Sequence, residues 1–91
     1  MTDIKKLEKI LKTLANKRRL AIICYLKGQK NARVGDVAKA INLSFTSTSK
    51  HLVRLFNADI LEKEQKNLEM WYSLAPKQNN IVDFIISNSR E

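Results

Sequence analysis

The run Asn42 to Phe56, reading Asn-Leu-Ser-Phe-Thr-Ser-Thr-Ser-Lys-His-Leu-Val-Arg-Leu-Phe, constrains the fold of this chain more than any other stretch. Ser44 is placed to cap a helix, because its hydroxyl can accept from the first free backbone N–H groups. Behind it, Thr48, Leu52, Leu55 and Phe56 follow at spacings of four, three and one, which stacks them on one mostly apolar face. The opposite face carries Phe45, Thr46, Ser47, Ser49, Lys50 and Arg54. Short hydroxyl side chains at a helix start, with cations later, suit the major groove of duplex DNA. A solvated Ser/Thr-rich helix start has the same composition, so the neighbouring segments decide between the two.

Those neighbours complete a motif. Asp36 is expected to cap a short helix holding Val37, Ala38, Ala40 and Ile41, and Asn42-Leu43 forms a tight turn. Two helices joined by such a turn, the second amphipathic with a polar tip, make a helix-turn-helix. Beyond Ala58-Asp59 the apolar period shortens, and Ile60–Glu64 and Glu69–Leu74 read as strands. The polar turn between them, Gln65-Lys66-Asn67-Leu68, contains Asn67, which accepts positive φ. A hairpin directly after a helix-turn-helix is a wing, here with Lys66 at its tip and Lys63 nearby.

Two helices precede this unit and one follows it. Residues 3–14 place Ile4, Leu7, Ile10, Leu11 and Leu14 on one face, with Asp3 near the positive helix start. Asn16 caps a second helix, Lys17 to Lys27, whose apolar set is Leu20, Ile22, Ile23, Tyr25 and Leu26, and Gly28 ends it. Residues 29–34 read as a connection, with room for a short extended piece at Ala32 to Val34. Pro76 begins or precedes a last helix, about residues 77–89, carrying Ile81, Val82, Phe84, Ile85 and Ile86. The expected fold is mainly α with a small β-hairpin (α+β), a winged helix-turn-helix in the order α-α-α-α-β-β-α. All 91 residues are expected to form one domain.

Seventeen Lys and Arg against nine Asp and Glu leave a net charge of +8, which favours polyanionic partners. No apolar run approaches the roughly 20 residues that span a bilayer. Lysines at 5, 6, 9 and 12 interrupt any secretion-signal pattern, so a cytoplasmic location without membrane contact is expected. The single cysteine excludes an internal disulfide. There is no nucleophile–base pair, no paired carboxylate in an apolar setting and no glycine-rich phosphate loop, so no enzyme is expected.

The outer helices raise a separate question. One small domain does not easily cover both apolar stripes, and uncovered stripes of that size mark association surfaces. A two-fold dimer through Ile4, Leu7, Leu11, Ile81, Phe84 and Ile85 is the expectation; closure of the monomer core is the alternative.

Several segments together resemble ArsR/SmtB-type winged-helix repressors. Leu11–Leu20 is similar to their "LKALADPTRL" opening, and Asp36-Val37-Ala38 to Ile41-Asn42-Leu43-Ser44 to "ELAEALGLS". Ser49-Lys50-His51-Leu52 with Leu55 resembles "VSRHLKVL", Ala58–Leu61 resembles "AGLV", and Trp71–Leu74 resembles "VYYRL". The resemblance spans about residues 7–75. It implies a homodimeric transcriptional repressor that binds an inverted repeat in double-stranded DNA and is released by an inducer, which the residues do not identify. It places Phe45, Thr46, Ser47, Ser49 and Lys50 against DNA, with Lys63, Lys66 and Asn67 in the wing. The bottom-up reading adds Arg54 as a phosphate contact.

The departures from that family are specific. Where many members carry the metal-sensing "ELCVCDL", this chain reads Asn31–Val37 with no thiol, and its last helix offers Asp83 and no histidine. No metal and no cofactor are therefore expected. Asp59 replaces a usual glycine and is expected to adopt the left-handed region.

Four further sites have competing readings. Cys24 is an inert thiol or a redox or intersubunit contact, and a thiol- or metal-gated repressor acting through it is one rival function. His51 packs, touches phosphate or switches with pH. Trp71 and Tyr72 pack the wing or stack on bases. The cations Lys17, Arg18 and Arg19 oppose the dipole at a helix start, so a nearby phosphate or carboxylate compensates them, or they are solvated. The remaining rival function is a winged-helix protein-interaction module without specific DNA binding.

Overall fold

The computed structural model describes residues 3–90. Its elements are α1 (Ile4–Leu14), α2 (Lys17–Lys27), β1 (Ala32–Arg33), α3 (Val34–Ile41), α4 (Phe45–Asn57), β2 (Leu61–Lys66), β3 (Glu69–Leu74) and α5 (Asn80–Asn88). Short polar residues start four of the five helices. The side chains of Asp3, Asn16, Ser44 and Asn79 accept from backbone N–H groups of the first turns of α1, α2, α4 and α5.

The ends of α3 and α4 share one device. Asn42 (φ 56°) and Asp59 (φ 62°) are left-handed, and each is followed by a residue whose N–H reaches back to the last turn. Leu43 donates to the Ala38 carbonyl at 3.0 Å, and Ile60 to that of Leu55 at 3.1 Å. These are Schellman motifs closed by Asn and Asp instead of glycine. They turn the chain sharply before α4 and again before β2.

Three boundaries differ from expectation. Helix α3 begins at Val34, so Asp36 lies inside its first turn, where its carboxylate accepts from the backbone N–H of Arg33 at 3.1 Å. The short extended piece is a true strand. It pairs antiparallel with β3, Ala32 opposite Tyr72 and Arg33 opposite Trp71, giving a three-stranded sheet in the order β1-β3-β2. The expected order therefore lacked one strand. The hairpin turn is only Asn67-Leu68, because Lys66 pairs with Glu69. Helix α5 starts at Asn80, later than residue 77, since Asn79 and not the preceding proline caps it.

Helix α2 is the centre of the core. Ile22, Ile23 and Leu26 are buried, and α2 packs against α1, α3, α4, α5 and β3. Val37, Leu52, Leu55, Ile60, Leu61, Tyr72 and Val82 close around it. Each such aliphatic side chain contributes about 1.5–3 kcal/mol on leaving water. The α1 stripe divides: Ile10 and Leu14 enter the core, Leu7 is half-buried, and Ile4 (83% exposed) and Leu11 face solvent. The α5 stripe divides likewise. Val82 is buried, Ile85 and Ile86 lie against the core, and Ile81 and Phe84 (66% exposed) point outward. Among the described residues no helix is long and apolar enough to cross a membrane.

Candidate nucleic-acid interface

The roll of α4 is set from beneath. Thr48, Leu52 and Leu55 are completely buried, which leaves the opposite side of the helix no choice but to face outward. Phe45 (61% exposed), Thr46, Lys50 and Arg54 are exposed, while Ser47 and Ser49 are half-buried along the edge. The Ser47 N–H donates to Ser44 Oγ at 3.1 Å, so the cap anchors the turn that presents Phe45 and Thr46.

The wing completes the surface on one side. Phe45 and Ser49 line a groove of about 600 Å³ with Leu68, Glu69 and Met70 of the hairpin and the start of α3. Asn67 holds positive φ (58°) at the tip, as its type allows. Beside it Leu68 is 97% exposed, the most exposed large apolar side chain of the described residues. Lys66 lies 3.6 Å from Glu64 and 5.3 Å from the Trp71 ring centroid. Lys63 is placed differently. Its Nζ sits 4.3 Å over the Phe56 ring, in a separate cleft with Trp71 at the far end of α4. The candidate set thus divides into Phe45 and Ser49 facing the wing tip, and Lys63 and Arg54 near the end of the helix.

Arg33 fastens the wing to the helical body. Its guanidinium contacts Asp36 at 3.1 Å and Glu69 at 3.2 Å and lies 5.2 Å from the Trp71 ring. These hydrogen bonds raise the Arg33 pKa further and lower that of Asp36. Tyr72 is buried, and its phenol pKa is raised by burial. Packing is therefore the role of Tyr72, while Trp71 is half-buried between two cations.

The cations opening α2 are compensated differently from expectation. Arg19 donates to the carbonyls of Lys12 and Thr13 at the end of α1, and Arg18 to that of Ile41 at 3.3 Å. Helix C-termini carry partial negative charge, so two helix ends take the place of a phosphate or carboxylate. Arg19 Nη1 also lies 3.3 Å from His51 Nδ1. Burial, followed by the charges of Arg19, Arg54 and Arg18, lowers the His51 pKa.

Cys24 is a free, half-buried thiol beside Leu20, Ala21 and residues 88–90. Among the described residues no three His, Cys, Asp or Glu side chains cluster as metal ligands do. Three features were not singled out from sequence: Leu68, the Arg33 clamp, and a basic cleft between α1 and α4. Leu68 had a signal in retrospect, since a two-residue hairpin loop exposes both of its side chains.

Comparison with known proteins agrees with this geometry. The sequence profile described as "Bacterial regulatory protein, arsR family" matches residues 16–63. The HTH-type transcriptional regulator YgaV of Escherichia coli is 28% identical over 78 residues, covering 86% of this chain and 76% of that protein. The crystal structure of the transcriptional repressor PagR of Bacillus anthracis superposes with a TM-score of 0.75 at 27% identity, covering 92% of each chain. The homodimeric winged helix-turn-helix DNA-binding domain of Mb0332 from Mycobacterium bovis has a TM-score of 0.78 at 25% identity, covering 92% of this chain and 74% of that one.

Proposed function

The chain belongs to the arsR family of bacterial regulatory proteins, and from this premise we propose that it is a metal-independent, dimeric repressor binding an inverted-repeat operator. It is a transcriptional regulator with a winged helix-turn-helix DNA-binding fold, not an enzyme. One observation carries the DNA-reading assignment. The buried Thr48, Leu52 and Leu55 fix α4 so that Phe45, Thr46 and Lys50 stand exposed on a helix edge bordered by the wing.

In the proposed complex two copies of α4 enter successive major grooves, about 34 Å apart. Phe45, Thr46 and Ser47 touch base edges, with Phe45 against a thymine methyl. Ser49, Lys50, Arg54, Lys63, Lys66 and Asn67 hold the backbone and set register. The two-fold contact uses the outward parts of α1 and α5: Ile4, Leu7, Leu11, Ile81, Phe84 and Ile85. Ile4 and Phe84 support it, because both stand in solvent while the inner halves of their stripes are buried. The homodimeric state of the Mb0332 domain supports it as well. Metal independence rests on the chemistry present: one thiol and one imidazole on separate helices do not make the three- or four-ligand site that zinc requires.

Selection of bound sequences from random duplexes tests the whole reading. The expected product is a palindrome with half-sites one helical turn apart, bound equally with zinc, with chelator and after thiol oxidation. Recovery of no preferred sequence would favour a protein-interaction module. A change of affinity on oxidation or on adding zinc would favour gating through Cys24.

A further inference from the structure

We propose that the cleft between α1 and the later turns of α4 is a second DNA-backbone surface, on which Lys5, Lys9, Lys12 and Arg54 receive phosphates beside those met by the recognition helix. This rests on the DNA-binding reading above and extends it to a helix otherwise assigned to dimerisation.

The cleft, about 430 Å³, is lined by five cations, Lys5, Lys9, Lys12, Arg19 and Arg54, and by one carboxylate, Glu8. Glu8 lies 3.6 Å from Lys12, and both are exposed. Among the described residues Lys5, Lys9, Arg19 and Arg54 form no ion pair. Like charges gathered around one cleft repel each other, and an entering anion relieves that repulsion. The crowding is felt within the protein, because burial and then Arg54 lower the Arg19 pKa.

The shape indicates which anion. Lys5, Lys9 and Lys12 are four and three residues apart, so they form a row about 10 Å long on one side of α1. Lys9 Nζ donates to the Asn57 carbonyl at 2.9 Å, which ties this row to the end of α4. Arg54 lies four residues after Lys50 on the exposed side of α4. The cations thus continue from the recognition turn into the cleft without a break. A row continuous with a groove-reading helix matches a duplex backbone, whose charges recur along a line; a single small anion needs no row. The apolar Ile4, Leu7 and Leu11 stripe is not consumed by this contact.

The experiment compares wild type with Lys5→Gln/Lys12→Gln, which retains the Lys9 hydrogen bond. Salt dependence of binding is measured on operator and on random duplex, with phosphate-ethylation interference on the operator. The expected result is a salt slope shallower by about 1.8, from about 0.9 per lost contact, on both duplexes. Interference should vanish at phosphates next to those that depend on Lys50, and Lys5→Arg/Lys12→Arg should restore both readouts. A wild-type slope and interference pattern in the Gln variant would overturn this inference and leave the DNA-binding reading standing. Protection of wild type from heat by inorganic triphosphate, with slopes unchanged, would assign the cleft to a small anion and overturn it too. Wild-type protein that binds no duplex overturns both readings.

Discussion

Arg19 and His51 meet at 3.3 Å, guanidinium Nη1 to imidazole Nδ1, joining the start of α2 to the middle of the recognition helix. The contact favours a neutral imidazole, which can accept at Nδ1, and burial and three surrounding arginines act in the same direction.

This contact predicts a pH effect on stability. Folded His51 holds its proton more weakly than the unfolded residue, whose ordinary value is 6.5. Between the two values the unfolded chain binds more protons, so stability rises with pH there. The contribution is complete above about 6.5, falls as pH drops through the lowered folded value, and then levels off. Denaturant midpoints measured across this window should fall on acidification in wild type and stay flatter in His51→Gln. Equal slopes in the two proteins would remove His51 from this role.

Thr46→Ala is expected to weaken operator binding by about 1–3 kcal/mol while leaving random duplex nearly unaffected. Thr46 is exposed in the first turn of α4, so the fold should tolerate the change. Fluorescence anisotropy on both duplexes reads the difference, and equal losses would take Thr46 out of base reading.

Lys66→Ala should weaken all duplexes alike and make the salt slope shallower by about 0.9. The side chain is exposed and its only ion pair is with Glu64 on the same strand. Preserved affinity with an undiminished slope would place the wing tip away from the backbone.

Ile4→Glu/Phe84→Glu places charge on the two most exposed apolar side chains of α1 and α5. Sedimentation velocity at micromolar concentration should show single subunits, with operator affinity lost and the thermal transition of the subunit kept. A dimer that persists would move the two-fold contact elsewhere.

Thr48→Val should stabilise the protein by about 1 kcal/mol. Thr48 is fully buried and its Oγ1 has no hydrogen-bond partner. A methyl in that place removes an unsatisfied hydroxyl and preserves the side-chain shape. The denaturant midpoint should rise with an unchanged m-value; a lower midpoint would mean that the hydroxyl is satisfied in solution.

Where the residues could be read directly, the information was local. Ser44 and Asn16 cap helices within three residues, and Asn42, Asp59 and Asn67 take positive φ where short polar side chains allow it. The Thr48, Leu52, Leu55 spacing set the buried side of α4, and with it the outward placement of Phe45, Thr46 and Lys50. Each of these depends on hydrogen bonds or spacings inside one turn or one helix, which are written in consecutive residues.

Other features exist only because distant segments meet. Ala32-Arg33 is too short to hold itself as a strand and becomes one by pairing with Tyr72 and Trp71. Arg18 and Arg19 find carbonyls at the ends of α3 and α1 in place of an acidic partner. The α1 and α5 stripes divide into buried and exposed halves because α2 covers only Ile10, Leu14 and Val82 fully, and no helical period records where a neighbour stops. The basic cleft has the same origin: Lys9 and Asn57 are 48 residues apart and become one surface only when α1 lies across the end of α4.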